Sequence, residues 1–224
     1  MPWTRQQVAQ TIDHAALKPF LTDDDIRAAC QLGKQYGVAS VCVRPSDVAL
    51  AAKELAGTGV VPSVVIGFPH GANRPETKAL EAQLAIEDGA VELDMVMNIG
   101  KFLTGDYAWV QRDIEAVVTA ARRHPGVQVK VILETCWLKP DQIAQACQIA
   151  KAAGADYVKT STGFGDGPAT PEAIDVMTKT VGGSLGIKAS GGVRTYETAC
   201  RYLDLGCQRL GVAATKEVLE GAPE

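Results

Sequence analysis

Short β-branched runs alternate with longer Ala-rich stretches along the whole chain of 224 residues. Seven runs read as strands: Val38–Val43, Val60–Ile66, Ala90–Val96, Gln128–Leu133, Asp156–Lys159, Leu185–Lys188 and Gln208–Gly211. Thr11–Ala15 is an eighth, shorter candidate. Helices are expected between most of them, over 23–36, 46–56, 74–88, 106–124, 140–153, 171–181 and 195–205. Residues Ile143 to Ala150 show the apolar spacing of a helix face. Thr22, Pro45-Ser46, Pro140-Asp141 and Thr170-Pro171 are helix-start signals. Gly37, Gly89, Gly154 and Gly206 each stand before a strand, where a left-handed helix end favours glycine.

Strands separated by helices pair in parallel, because parallel neighbours need a crossover. Eight such units in this length fit closure into a (β/α)8 TIM barrel better than an open sheet, with 1–224 as one domain. A hydrophobic share of 46% and a charged share of 21% belong to a globular chain. A net charge of −4 argues against nucleic acid as a partner. No apolar run approaches the roughly 18 residues of a membrane span, and the polar start carries no secretory core. No membrane partner and a cytoplasmic location are therefore expected. Cys30, Cys42, Cys136, Cys147, Cys200 and Cys207 form no C-x-x-C pair and read as reduced thiols. His14, His70 and His124 are too dispersed for a local metal motif.

The chemistry lies in polar residues inside the strands. Parallel strands covered on both faces are normally apolar. Yet one face of the fourth strand carries Glu92, Asp94, Val96 and Asn98, while Leu93, Met95 and Met97 take the other. Lys130, Ile132 and Glu134 share a face of the next strand, and Lys159 and Lys188 end the sixth and seventh. Gly186 is expected to leave empty space beside Lys188. A buried charge must be paired or neutralised. Glu92 and Lys130, early in their strands, read as a salt-bridge network that fills the barrel. Asp94, Lys159 and Lys188 lie toward the C-terminal rim, where barrel active sites are built. Two neighbouring ammonium groups depress one another's proton affinity. A neutral lysine is a nucleophile that forms a Schiff base with a carbonyl. Asp94 can pair with the second lysine, hold a water or move protons. The hydroxyls of Lys159-Thr-Ser-Thr-Gly163 suit substrate oxygens or simply make a turn.

An anion site is expected after strands seven and eight, at Ser190-Gly191-Gly192-Val193-Arg194 and Gly211–Thr215. Glycines admit backbone N–H groups to a phosphate, and a helix start adds partial positive charge. A plain strand-to-helix turn is the alternative. Arg194 reaches the phosphate or lies on the surface.

Several motifs together resemble the 2-deoxy-D-ribose-5-phosphate aldolases. They are Ile12–Pro19, Val41–Pro45, Glu92–Asn98, Lys130–Thr135, Tyr157–Phe164 and Ile187–Arg194. The pair Lys-Thr-Ser-Thr-Gly and Lys-Ala-Ser-Gly-Gly-Val-Arg, one unit apart, is the most specific of these. The resemblance implies a class I aldolase without metal or other cofactor. It implies reversible cleavage of 2-deoxyribose 5-phosphate to D-glyceraldehyde 3-phosphate and acetaldehyde. It implies that Lys159 forms the Schiff base, Lys188 tunes it and Asp94 works with Lys188 in proton relay. It implies that Asp13, Cys42, Lys130 and Thr160 line the pocket. Thr162, Gly163, Gly191, Gly192 and Gly211 complete the expected substrate-binding set. The expected partner is a small phosphosugar, and by analogy the chain forms a homo-oligomer.

Two departures from the family pattern stand out. The strand-eight loop has Ala213 and Ala214 where members often carry serines, which leaves backbone N–H groups for the phosphate. The chain ends Glu220-Gly-Ala-Pro-Glu224, without the terminal tyrosine that some members use in proton transfer. Proton abstraction would then fall to water held by Asp94 and Lys188. The alternatives are another phosphate-binding TIM-barrel aldolase or isomerase, or a catalytically weak phosphosugar-binding barrel. A pure binding site gains nothing from a depressed lysine pKa, which argues against the last.

Overall fold

The alternation read from the sequence closes on itself in space. A computed structural model describes residues 3–222. Its strands are β1 (Ile12–Ala16), β2 (Ser40–Val43), β3 (Val61–Ile66), β4 (Glu92–Val96), β5 (Gln128–Ile132), β6 (Tyr157–Lys159), β7 (Gly186–Ser190) and β8 (Arg209–Val212). All neighbours are parallel, and β8 pairs back with β1 by setting Leu210 beside Ile12. The helices are α1 (Arg5–Ala9), α2 (Asp23–Tyr36), α3 (Val48–Leu55), α4 (Pro75–Glu87), α5 (Ile99–Leu103), α6 (Tyr107–Arg122), α7 (Pro140–Ala152), α8 (Pro171–Val181), α9 (Tyr196–Asp204) and α10 (Thr215–Glu220). The closed eight-stranded parallel barrel with its helices is a TIM barrel.

The period of two sorts each strand. Leu93 and Met95 of β4, Val129 and Val131 of β5, Val158 of β6 and Ile187 of β7 are buried in the apolar layer under the helices. Each contributes roughly 1.5–3 kcal/mol of burial. The alternate positions turn inward and carry the charges. Register then fixes which charges meet: Asp94 pairs across from Lys130, Ile132 from Lys159, and Lys159 from Lys188.

Helix ends follow the expected chemistry. Thr22 opens α2 with a capping box, its N–H donating to Asp25 Oδ2 at 2.7 Å while its hydroxyl accepts from Asp25 N. Gly37 closes the same helix at φ 63°, and Gly89, Gly154 and Gly206 also have positive φ. The stretch expected as one helix over 46–56 instead begins with a 3-10 turn at Pro45–Asp47. Two five-residue helices, α1 and α5, have no counterpart among the expected ones. They are shorter than the roughly 11-residue window in which a helical period can be read.

The space expected beside Gly186 is not empty. A Cβ there would collide with the ring of Tyr157, which fills that part of the barrel. Among the described residues no helix is long and apolar enough to cross a membrane. The ends of the expected domain, residues 1–2 and 223–224, lie outside the described residues, as does the close of the tyrosine-free tail.

Candidate active site

The inward charges form one connected cluster along the barrel axis. Arg209 on β8 donates to Glu92 Oε1 at 2.9 Å and Oε2 at 2.7 Å, and its Nε donates to Asp13 Oδ1 at 2.9 Å. Ser40 holds the same Asp13 oxygen at 2.8 Å. Lys130 donates to Glu92 Oε2 at 2.6 Å and Asp94 Oδ1 at 3.1 Å, and lies 3.5 Å from Asp13 Oδ2. Lys188 donates to Asp13 Oδ2 at 2.5 Å and Asp94 Oδ2 at 2.6 Å. Lys159 donates to Asp94 Oδ2 at 2.7 Å and touches no other carboxylate oxygen of the cluster. The sequence-predicted Asp13, Asp94, Lys130, Lys159 and Lys188 are thus brought together, all buried.

The charges do not balance if every group is ionised. Lys130, Lys159, Lys188 and Arg209 are four cations, and Asp13, Glu92 and Asp94 are three carboxylates. Burying a surplus charge is costly, and releasing one proton removes it. Of the three lysines, Lys159 alone has its pKa lowered, while Lys130 and Lys188 are raised. Burial pushes the Lys159 pKa below the ordinary lysine value, Asp94 opposes this, and the Lys188 cation adds to the lowering. Burial acts on Lys188 too, but Asp13 and Asp94 outweigh it and hold that ammonium above its ordinary value. Asp94 stays well below the carboxylate range because Lys130, Lys159 and Lys188 overcome its desolvation. The result is one amine of lowered and one of raised proton affinity on a shared oxygen.

Beyond β6 the hydroxyl run is tied down unevenly. Thr160 Oγ1 donates to Ser190 O at 3.2 Å and accepts from Ser190 N at 3.0 Å, fastening β6 to β7. Thr162 Oγ1 donates to Glu134 Oε2 at 2.5 Å and accepts from Phe164 N at 3.0 Å. Ser161 Oγ is buried without a hydrogen-bond partner, so it alone of the three has a bond left to give. Phe164 meets Phe68 edge-on at 5.2 Å. Gly163 stands exposed at φ 82°. Glu134 is left-handed at φ 55°, which costs a residue with a Cβ about 1–2 kcal/mol.

Gly191 and Gly192 follow β7 at φ 82° and 78°, and a Cβ on Gly192 would lie 2.8 Å from Pro168. Gly211 has a different task. Its missing Cβ makes room for Ser190 and for the Lys188 stem, whose Cε would stand 3.4 Å away. The helix after the strand-eight loop, α10, has only six residues and no side-chain cap, so little dipole backs that loop. Arg194 is exposed. Cys42 on β2 is buried, and burial together with the charge of Asp94 pushes its thiol pKa up. Among the described residues no group of three or more His, Cys, Asp or Glu is placed to hold a metal ion.

Two participants escaped the sequence reading as site residues: Arg209 and Glu134. Arg209 was findable, because alternation in β8 puts it on the same face as Gly211. Glu134 carried the inward signal of its strand, but its left-handed turn toward Thr162 has no local signature.

Residues 7–213 match the family model of the DeoC/LacD family aldolases. The deoxyribose-phosphate aldolase of Geobacillus sp. (strain WCH70) is 50% identical over 214 residues, which cover 96% of this chain and 95% of the relative. That of Thermococcus gammatolerans is 49% identical over 217 residues, 96% of each chain. The tetrameric deoxyribose phosphate aldolase structure from Aeropyrum pernix superposes with a TM-score of 0.90 at 31% identity, covering 97% of this chain and 91% of that one. A match across nearly the whole barrel, at these identities, makes this chain a member of the DeoC/LacD aldolase family.

Proposed function

We propose that this chain reversibly cleaves 2-deoxy-D-ribose 5-phosphate into D-glyceraldehyde 3-phosphate and acetaldehyde through a Schiff base on Lys159, as a step in deoxyribose phosphate breakdown. The observation that carries this reading is the placement of a lysine below its ordinary pKa and a lysine above it on one oxygen of Asp94. Membership of an aldolase family supports the same chemistry.

Lys159 Nζ attacks C1 of the open-chain sugar. Lys188 gives its proton to the carbinolamine oxygen, which leaves as water, and the iminium forms. Lys188, now neutral, takes the proton of the C3 hydroxyl. The C2–C3 bond breaks, C3 becomes the aldehyde carbon of D-glyceraldehyde 3-phosphate, and the bond's electron pair forms the enamine. Lys188 returns its proton to C2, water adds to the new iminium, and its surplus proton goes back to Lys188 as acetaldehyde leaves and neutral Lys159 is freed. Asp94, bonded to both amines, links them in this relay. Acid–base assistance of this kind supplies about 10²–10⁴-fold in rate.

The phosphate is read onto the Gly191–Gly192 turn, with Gly163 and the Gly211 loop around it. Asp13, Cys42, Lys130, Thr160 and Thr162 shape the pocket, and Ser161 offers a hydroxyl to a substrate oxygen. The reduced cysteines and phosphorylated substrate suit the cytoplasm, and the tetrameric relative supports an assembly of several copies.

Acetaldehyde with borohydride tests the reading. The expected product is a stable two-carbon adduct on Lys159, found by peptide mass spectrometry. Active protein without that adduct, or full activity in Lys159→Ala, overturns it.

A further inference from the structure

Glu134 takes no part in the lysine relay, yet its side chain is buried and its backbone stands in the left-handed region. It is the one non-glycine residue with positive φ among the described residues. Such a conformation persists only where the surroundings hold it. Here the hold is concentrated on a single neighbour. Thr162 donates its N–H to both carboxylate oxygens at 3.3 Å and its hydroxyl to Oε2 at 2.5 Å. The Thr162 hydroxyl in turn receives Phe164 N at 3.0 Å. Gly165 lacks a Cβ where one would lie 2.9 Å from Glu134 Cδ. Immediately after Glu134, Thr135 N donates to Thr160 O at 2.9 Å.

The far side of the same loop is fastened to the glycine turn. Ala169 N donates to Ser190 O at 3.1 Å and Gly191 O at 3.3 Å. Pro168 fills the space that Cβ atoms on Gly191 and Gly192 would need. Residues 160–169, which form no helix or strand, are therefore held between the Glu134 carboxylate and Gly191–Gly192.

We propose that Glu134 is a positioning residue whose carboxylate latches the loop following Lys159, and so sets the span between the Schiff-base lysine and the phosphate-binding glycine turn. This rests on the Schiff-base reading above. A latch of this kind acts on a substrate that must reach both ends of the span. Acetaldehyde, which needs only the lysine, does not feel it.

Three full-length variants test the latch. Glu134→Gly accepts the backbone angle and removes the carboxylate. Glu134→Asn tolerates the left-handed backbone and shortens the side chain away from Thr162. Glu134→Gln keeps an acceptor oxygen. Circular dichroism verifies folding, and steady-state kinetics on 2-deoxyribose 5-phosphate are set beside borohydride trapping of acetaldehyde on Lys159. Glu134→Gly and Glu134→Asn are expected to raise KM about tenfold or more, since small misplacements are costly. Trapping stays at the wild-type rate, and Glu134→Gln recovers most of the KM. A merely structural role would lower stability and leave KM in place. Folded Glu134→Gly with wild-type KM, or KM and trapping failing in step, overturns the latch. Should Glu134→Gly not fold, Glu134→Asn decides by the same two readouts. Wild-type protein that neither cleaves the sugar nor traps acetaldehyde overturns the Schiff-base reading itself, and the latch with it.

Discussion

Lys159 and Lys188 meet on a single oxygen: Asp94 Oδ2 lies 2.7 Å from the first Nζ and 2.6 Å from the second. The two nitrogens are thus no more than about 5.3 Å apart, within the range where like charges disturb each other's titration. Asp94 holds them there by supplying the opposite charge between them.

Removing the second lysine tests that division of labour. In the wild type, cleavage should rise with pH as Lys159 loses its proton, at a pH below the ordinary lysine value. In Lys188→Met the neighbouring cation is gone, so Lys159 binds its proton more tightly. The acid limb of the kcat/KM profile should move to higher pH, and kcat should fall about 10²–10⁴-fold with the loss of the proton donor. An unmoved acid limb would show that burial alone lowers Lys159.

Arg209 affects the same amine from a distance. It is the fourth cation against three carboxylates, and it contacts Asp13 and Glu92 rather than Lys159. Arg209→Met brings cations and carboxylates to equal number, so the pressure on Lys159 to release a proton drops. The acid limb should again shift to higher pH. Stability should fall by less than the roughly 3–5 kcal/mol of an uncompensated buried charge, because Asp13 keeps Lys188 and Glu92 keeps Lys130. Urea denaturation and a pH–rate profile measure the two effects separately.

Much of this arrangement is legible in the sequence because a strand has a rigid period of two. Glu92 and Asp94 must share a face, and so must Lys130 and Ile132, whatever the rest of the chain does. The barrel follows because eight such strands are spaced by helices. What period and spacing do not carry is the third dimension around a turn. Glu134 is two residues past Ile132, yet its φ of 55° redirects it to Thr162 in the next unit. The Tyr157 ring occupying the gap at Gly186 is likewise a contact between strands that register decides.

His14 makes stability pH-dependent on the opposite wall of β1. It is buried, and its Nδ1 lies 2.9 Å from Thr215 Oγ1. Burial lowers its pKa from 6.5 to about 4, against the pull of Glu217. A histidine depressed on folding contributes stability that is full above its unfolded pKa. That contribution is lost as pH falls toward the folded value. Stability should therefore decline between pH 6.5 and about 4, by about 3 kcal/mol from this group. Chemical denaturation across that range should show the decline in wild type and a flatter curve in His14→Asn.

Lys78 is the most deeply buried cation outside the lysine cluster, and its removal should separate folding from chemistry. It donates to Asp113 Oδ2 at 2.6 Å and to Val96 O at 2.8 Å, and neither side chain of the ion pair is exposed. Gly67 at the end of β3 packs on its stem, where a Cβ would lie 2.7 Å from Lys78 Cε. Burial lowers the Lys78 pKa and raises that of Asp113, so each charge is tolerated only because of the other. Lys78→Met alone strands a buried carboxylate and should cost roughly 3–5 kcal/mol. Lys78→Met with Asp113→Leu removes both charges and should cost less than the single change, since contacting residues are not additive. Denaturant midpoints of the two variants decide the order. Acetaldehyde trapping on Lys159 should persist in whichever of them folds, because Lys78 touches the end of β4 at Val96 and leaves Asp94 with its three lysines.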